Sequence, residues 1–228
     1  MIKNILLDLD DTLLDFGRAE SIAISKTLLK LKLEPTEEVL RRYHEINAAL
    51  WHRLEDGTIT RDELMLERFR QLGEQMSLPI DPVLTQSYYD EFLPMGCFFI
   101  PGAKELLETL SERYTLYIAS NGTVRTQQKR IANAGISGYF ADVFLSELIG
   151  AYKPSVAFFD ACFARMKGAT RENTVLVGDS VASDVRGGMN AGLPTVWFNP
   201  HGHTLPEGVH ADAEIRALPE LVRVLHRM

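Results

Sequence analysis

From Pro101 onward, short apolar runs alternate with segments of helical spacing, and this alternation constrains the fold more than any other feature of the chain. Pro101-Gly102 opens a helix through Leu106, Leu107 and Leu110. Thr115–Ala119 reads as a strand, followed by a helix from Val124 that stops at Gly135. Val143–Leu145 is a second, short strand, and the helix after Lys153-Pro154 is expected to turn Val156, Phe159, Phe163 and Met166 inward. Thr174–Val177, a helix ending at Gly192, the strand Thr195–Phe198 and a closing helix from Pro219 complete the series. Strands separated by helices of roughly ten residues mean βαβ units and a parallel sheet, so the class is α/β.

The N-terminal third obeys a different rule. Ile5-Leu6-Leu7 is one strand-like run, and after it helix follows helix. Ile24, Leu28 and Leu31 share one apolar face, and Val39, Tyr43, Ile46 and Leu50 another. Thr60-Arg61-Asp62-Glu63 reads as a capping box, leading a helix with Met65, Phe69 and Leu72 inside. Asp81-Pro82 reads as an N-cap with proline at the first helical position, ahead of Tyr88 and Phe92. A helical block of this length after one strand predicts an inserted all-helical domain at 16–94, with the α/β core formed by 1–15 and 95–228.

Composition removes several classes of function. A net charge of -7 and an absence of any dense Lys/Arg stripe argue against a nucleic-acid polymer as partner. No apolar run is long enough to span a bilayer, and Met1-Ile2-Lys3-Asn4 leads into a strand rather than a signal peptide, so the expected location is the cytoplasm with no membrane partner. Cys97 and Cys162 lie far apart among apolar or aromatic neighbours and read as separate buried thiols.

In a parallel sheet every strand's carboxyl end meets one edge, where ligands bind. Four clusters fall at such ends or just beyond them: Asp8/Asp10, Ser120-Asn121-Gly122, Lys153 and Asp179/Asp184. Converging carboxylates repel and need a compensating cation; their oxygen-only chemistry favours Mg²⁺ before zinc. Ser120, Asn121, the loop amides and Lys153 suit an oxyanion, and the expected one is phosphate. At about 4 Å, unit charges interact by roughly 4 kcal/mol at an effective dielectric of 20, so a phosphate dianion would be expelled from the acids without metal and lysine.

Asp8-x-Asp10-x-Thr12, Ser120-Asn121, Lys153-Pro154 and Gly178-Asp179-Ser180 with Asp184 resemble, in order and spacing, the four motifs of the haloacid dehalogenase-like (HAD) hydrolase superfamily. The resemblance covers nearly the whole chain, and it implies a Rossmann-like parallel sheet flanked by helices with a helical first-type cap. Leu50-Trp51, Asp56–Thr60, Asn121-Gly122 with Gln127-Gln128, and Ala191–Pro194 are similar to the bacterial pyrimidine 5′-nucleotidase branch, whose members release phosphate from nucleoside monophosphates. By this resemblance Asp8 is the nucleophile that forms an aspartyl-phosphate, and Asp10 the general acid and base. Mg²⁺ is expected on Asp8, the Asp10 carbonyl and Asp179, with Asp184 arranging them and Thr12 bracing the nucleophile loop. Ser120, Asn121 and Lys153 are expected to hold the phosphoryl group. The partner implied is a small phosphate ester, taken by a monomer or small homo-oligomer, under a cap that closes on hinges near Asp15–Gly17 and Met95-Gly96.

Other readings share parts of this pattern. A 2-haloacid dehalogenase uses the same nucleophile but lacks an acid at the position of Asp10. Phosphatases of sugar phosphates or phosphoglycolate differ mainly in the cap. Outside catalysis, a phospho-accepting receiver has its acceptor Asp on a middle strand and about half this length, and a silent phospholigand-binding module would not need every motif residue. His201 and His203 lack a nearby third ligand and read as a surface loop; Trp51 and His52 lie in the cap, where they could stack on a base, but Trp51 at the end of an apolar helical face reads first as core, and Trp197 as sheet core.

Overall fold

The computed structural model describes residues 1–228. Its backbone divides into two compact units, Met1–Asp15 with Phe98–Met228, and Phe16–Cys97.

The first unit is built on six parallel strands: β1 (Asn4–Leu7), β2 (Thr115–Ser120), β3 (Phe140–Leu145), β4 (Thr174–Gly178), β5 (Thr195–Phe198) and β6 (Ala213–Ile215), in the order β3-β2-β1-β4-β5-β6. Leu7 is in register with Ile118 on one side and Val177 on the other. The connections from β1 run to β2 on one side, and the chain returns to β4 on the other. The order therefore reverses at β1, the place where open α/β sheets bind ligands.

Alternation along β1 sends Ile5 and Leu7 to one face, where they pack with Ile118, Val175 and Val177. Leu6 goes to the other, with Tyr117, Phe144 and Leu176. A sheet apolar on both faces must be covered twice. In the second unit, helices α1 (Phe16–Lys30), α2 (Glu37–Glu55), α3 (Arg61–Met76) and α4 (Pro82–Phe92) follow one another without a strand. In the first, the helices are α5 (Ala103–Ser111), α6 (Val124–Asn133), α7 (Ser146–Ile149), α8 (Val156–Arg165), α9 (Arg186–Ala191) and α10 (Glu220–Leu225). Leu107 of α5 and Leu221 of α10 join the Ile5 face; Phe158, Phe159 and Cys162 of α8 join the Leu6 face.

Three local features differ from the sequence pattern. On α8 the buried stripe is Phe158, Phe159 and Cys162, with Met166 just beyond, whereas Val156 is exposed. Ser155 caps this helix by accepting from the Phe158 N–H, which puts Val156 at its first position, before the inward face begins. The segment after β4 is one π-helical turn, Val181–Val185, before α9. Strand β6, Ala213-Glu214-Ile215, lies beyond the strands that the sequence predicts; it adds to β5 at the sheet edge.

The helical unit begins at Phe16 and ends at Cys97, so residues 95–97 belong with it rather than with the core. Leu93–Met95 form a 3₁₀ turn, and Gly96 lies so close to Ala19 that a Cβ there would meet the alanine Cβ at 2.4 Å. Thr60 and Glu63 make the reciprocal capping box of α3, and Asp81 caps α4 through the Leu84 N–H. Tyr43, Phe69 and Tyr89 form its aromatic centre, with ring centroids 5.6–5.8 Å apart. Beside them runs a buried polar chain. Glu20 accepts from Asn47 Nδ2 at 2.5 Å, and Arg68 donates to Asn47 Oδ1 at 3.1 Å and to Gln86 Oε1 at 2.8 Å.

Candidate active site

Asp8 continues β1 by one residue, its N–H donating to the Val177 carbonyl at 2.9 Å. The chain then turns sharply: Asp11 takes a left-handed conformation (φ 57°), which aspartate tolerates better than most side chains, and Leu13 and Leu14 donate back to the Leu9 carbonyl. This turn holds the first acidic motif at the carboxyl edge of the sheet.

Lys153 arrives from the loop between α7 and α8 and is 1% exposed. Its ammonium donates to Asp8 Oδ1 and to Asp184 Oδ1, both at 2.6 Å. Burial works against this ammonium, but Asp184 and Asp8 outweigh it and hold it charged, above its ordinary value. Asp184 comes from the π-helical turn and is completely buried; its second oxygen accepts from the Ser180 N–H at 3.1 Å. Gly178 makes room for it.

Asp179 follows β4. Thr12 Oγ1 donates to its Oδ1 at 2.9 Å and accepts from its N–H at 3.1 Å, while Trp197 Nε1 donates to its carbonyl at 2.8 Å. Trp197 is thus a support of the acidic loop as well as sheet core. Carboxylate oxygens of Asp8, Asp179 and Asp184 all lie within 4.8 Å of one another. Burial, then the neighbouring Asp184 and Asp11, push the Asp179 carboxyl up to about 8. Burial also pushes Asp8 well above the carboxylate range, with Lys153 opposing it. Three carboxylates thus face one ammonium, and the excess negative charge with only oxygen donors suits a hard divalent cation.

Ser120, at the end of β2, accepts from the Gly122 N–H at 3.0 Å and from Gln127 Nε2 at 2.8 Å. Asn121 is bonded within the protein. Its Nδ2 donates to the Lys153 carbonyl and its Oδ1 accepts from the Lys153 N–H, each at 2.9 Å, so the side chain clamps the lysine loop. This two-way bond gives Asn121 a structural role beside the phosphate contact expected of it, using one N–H and one lone pair of its amide.

Two residues of α6 had no assigned role in the sequence. Gln127 donates to Asp10 Oδ2 at 2.6 Å, and Arg130, fully buried, pairs with Asp10 Oδ1. In sequence they stand within the polar run Arg125–Arg130 and resemble a solvated helix face. The available signal is their i, i+3 spacing beside the apolar Ile131. Gly122 permits the arrangement, since a Cβ there would lie 2.3 Å from Gln127 Nε2. The His201 and His203 rings lie tilted against each other, with centroids 5.8 Å apart, on exposed chain.

Residues 2–192 match the family described as haloacid dehalogenase-like hydrolase. The chain belongs to that family. As a HAD-like hydrolase it is 36% identical over 200 residues to the pyrimidine 5′-nucleotidase PynA of Streptococcus pneumoniae, covering 87% of this chain and 84% of the relative. It is 30% identical over 221 residues to the pyrimidine 5′-nucleotidase YjjG of Escherichia coli, covering 97% and 96%. Among solved structures, the magnesium-bound HAD-hydrolase YfnB of Bacillus subtilis superposes with a TM-score of 0.94 at 36% identity, over 98% of each chain. A 2-haloacid dehalogenase from Pseudomonas syringae superposes at 0.68 with 28% identity, over 100% of this chain and 99% of that one. No helix of this HAD-like hydrolase is long and apolar enough to cross a membrane.

Proposed function

We propose that this hydrolase is a Mg²⁺-dependent phosphomonoesterase of nucleoside 5′-monophosphates, with pyrimidines preferred, working through an aspartyl-phosphate. The observation that carries the reading is Asp8 held by the Lys153 ammonium at 2.6 Å, with a second carboxylate, Asp10, two residues on and gripped from α6. A dehalogenase has no use for that second acid, because a departing halide needs no proton.

Asp8 attacks phosphorus, and Lys153 offsets the charge on the nucleophile and on the phosphoryl oxygens. Ser120, whose oxygen already accepts two hydrogen bonds, turns its own hydrogen to the phosphoryl group. Asp10 gives its proton to the leaving oxygen as the P–O bond breaks, then takes one from the water that hydrolyses the aspartyl-phosphate. Asp8, Asp179 and the Asp10 carbonyl would hold Mg²⁺, with Asp184 and Thr12 fixing their positions. When bound, Mg²⁺ supplies the positive charge that lets a dianionic ester approach these acids. Asn121 keeps the Lys153 loop in place.

The nucleotide preference rests on the two pyrimidine 5′-nucleotidase relatives and on the cap segments Leu50-Trp51 and Asp56–Thr60. The partner is accordingly a small phosphate ester.

The test is phosphate release from nucleoside monophosphates, sugar phosphates and phosphoglycolate, with Mg²⁺ or EDTA, by the native enzyme and Asp8→Asn. Mg²⁺-dependent release favouring pyrimidine monophosphates, and abolished in the variant, is expected. Release from sugar phosphates alone would discard the nucleotide; release from no ester would discard the phosphatase.

A further inference from the structure

We propose that Gln127 and Arg130 are positioning residues for Asp10, holding the carboxylate that forms as its proton leaves. The inference rests on the phosphatase reading above and concerns a part of the site to which neither the motifs nor the relatives assign a role.

Both Asp10 oxygens are met from a single helix. Arg130 Nη1 reaches Oδ1, and Gln127 Nε2 reaches Oδ2 at 2.6 Å. The two donors are themselves tied, Arg130 Nη1 donating to Gln127 Oε1 at 3.3 Å and Gln127 Nε2 to Ser120 Oγ at 2.8 Å. Arg130 is among the largest fully buried side chains of the protein. A buried guanidinium is costly unless a carboxylate compensates it, and a structural pairing would be expected with another buried acid. Here the partner is a side chain still 27% exposed, at the ligand-binding edge of the sheet.

With one donor aimed at each oxygen, the carboxylate is fully hydrogen-bonded as soon as its proton has gone. As the P–O bond breaks, the Asp10 proton passes to the leaving oxygen, and the electron pair of the O–H bond stays on the carboxylate. Gln127 and Arg130 stabilise the charge that develops there, which is stabilisation of the transition state rather than of the bound ester. Ser120 joins this arm to the phosphoryl site, so acid and phosphorus keep a fixed separation.

The experiment compares two esters under saturating Mg²⁺: uridine 5′-monophosphate, whose alkoxide needs a proton to leave, and p-nitrophenyl phosphate, whose phenolate does not. The ratio kcat/KM covers only the steps up to departure of the alcohol, so it isolates the acid. Arg130→Met is expected to lower kcat/KM for the nucleotide by about 10–100-fold, the usual range for a misplaced general acid, with little change for the aryl ester. Asp10→Asn should show the same split, and adding Arg130→Met to it should cost almost nothing further. Where Arg130→Met fails to fold, Gln127→Met is scored on the same ratio. An equal fall for both esters in a folded variant overturns the proposal and leaves Arg130 a structural ion pair. Should the native enzyme hydrolyse neither ester nor any other phosphate, the phosphatase reading fails and this one with it, an outcome distinct from an active enzyme without the split.

Discussion

Gly178 gives Asp184 its place: a Cβ built on the glycine would lie 2.2 Å from the aspartate carboxyl carbon. The carboxylate cannot retreat, since Lys153 holds one oxygen and the Ser180 N–H the other. Gly178→Ala should therefore destabilise the fold by about 1–3 kcal/mol, the usual cost of overpacking. It should also depress Mg²⁺-dependent turnover beyond that loss, because the displaced group steers Lys153. Urea unfolding and turnover of the same preparation separate the two effects; native turnover in Gly178→Ala would show that Asp184 need not sit there.

Removal of either partner of the buried Lys153–Asp184 pair leaves the other charged and without it. Lys153→Met exposes Asp8 and Asp184 to each other and should cost about 3–5 kcal/mol. Asp184→Asn keeps the shape and should cost less. The double variant should be more stable than the sum of the two losses implies, by about 0.5–3 kcal/mol, which a double-mutant cycle in urea measures directly. Additive losses would mean that the 2.6 Å contact contributes no coupling.

The same loop shows why the site was legible in part. Strand ends in a parallel sheet share an edge, so an order of Asp8, Ser120, Lys153 and Asp179 along the chain becomes a neighbourhood in space without any knowledge of side-chain geometry. The fold was legible too, because the short apolar run Thr115–Ala119 differs sharply from the helical spacing of Val124–Gly135. What stayed hidden depends on contacts between elements. Arg130 sits in a polar run and looks solvated until β1 and α6 bring Asp10 to it. The clamp of Asn121 on the Lys153 backbone likewise shows only once the two loops are side by side. Strand β6 is three residues long, too short for its apolar-polar-apolar pattern to mark it, and pairing with β5 makes it a strand.

The helical unit depends on Asn47, which joins a buried carboxylate to a buried guanidinium: Glu20 on one side and Arg68 on the other. Arg68 also lies over the Tyr89 ring at 4.6 Å, so its position is set by packing as well as charge. Asn47→Leu removes the donor to Glu20 and the acceptor for Arg68 at once. A loss of about 2–4 kcal/mol is expected, since two buried charged groups each lose a partner. Asn47→Asp keeps the acceptor for Arg68 but sets a second carboxylate against Glu20, and should also destabilise. Unfolding by urea checks both; a native-like Asn47→Leu would show that the buried chain is dispensable.

Cys162 and Cys97 should differ sharply in chemistry. Burial pushes the Cys162 thiol up to about 12, and the side chain is fully enclosed against the sheet, whereas Cys97 is only partly covered. At pH 8, a thiol reagent should modify Cys97 alone in the folded protein and both residues in urea. The same shift makes the fold sensitive to alkali. The unfolded thiol loses its proton near 9, while the folded one keeps it to about 12, so above pH 9 the native state binds more protons and stability falls as pH rises. Tyr43 and Tyr89, also raised by burial, add to the slope from about pH 10 onward. Each such group contributes up to about 1.4 kcal/mol per pH unit within its window. Cys162→Ala should flatten the part of the slope between pH 9 and 10, at the cost of a small cavity, in urea unfolding curves taken across that range. An unchanged slope would mean that the thiol titrates alike in the folded and unfolded chain.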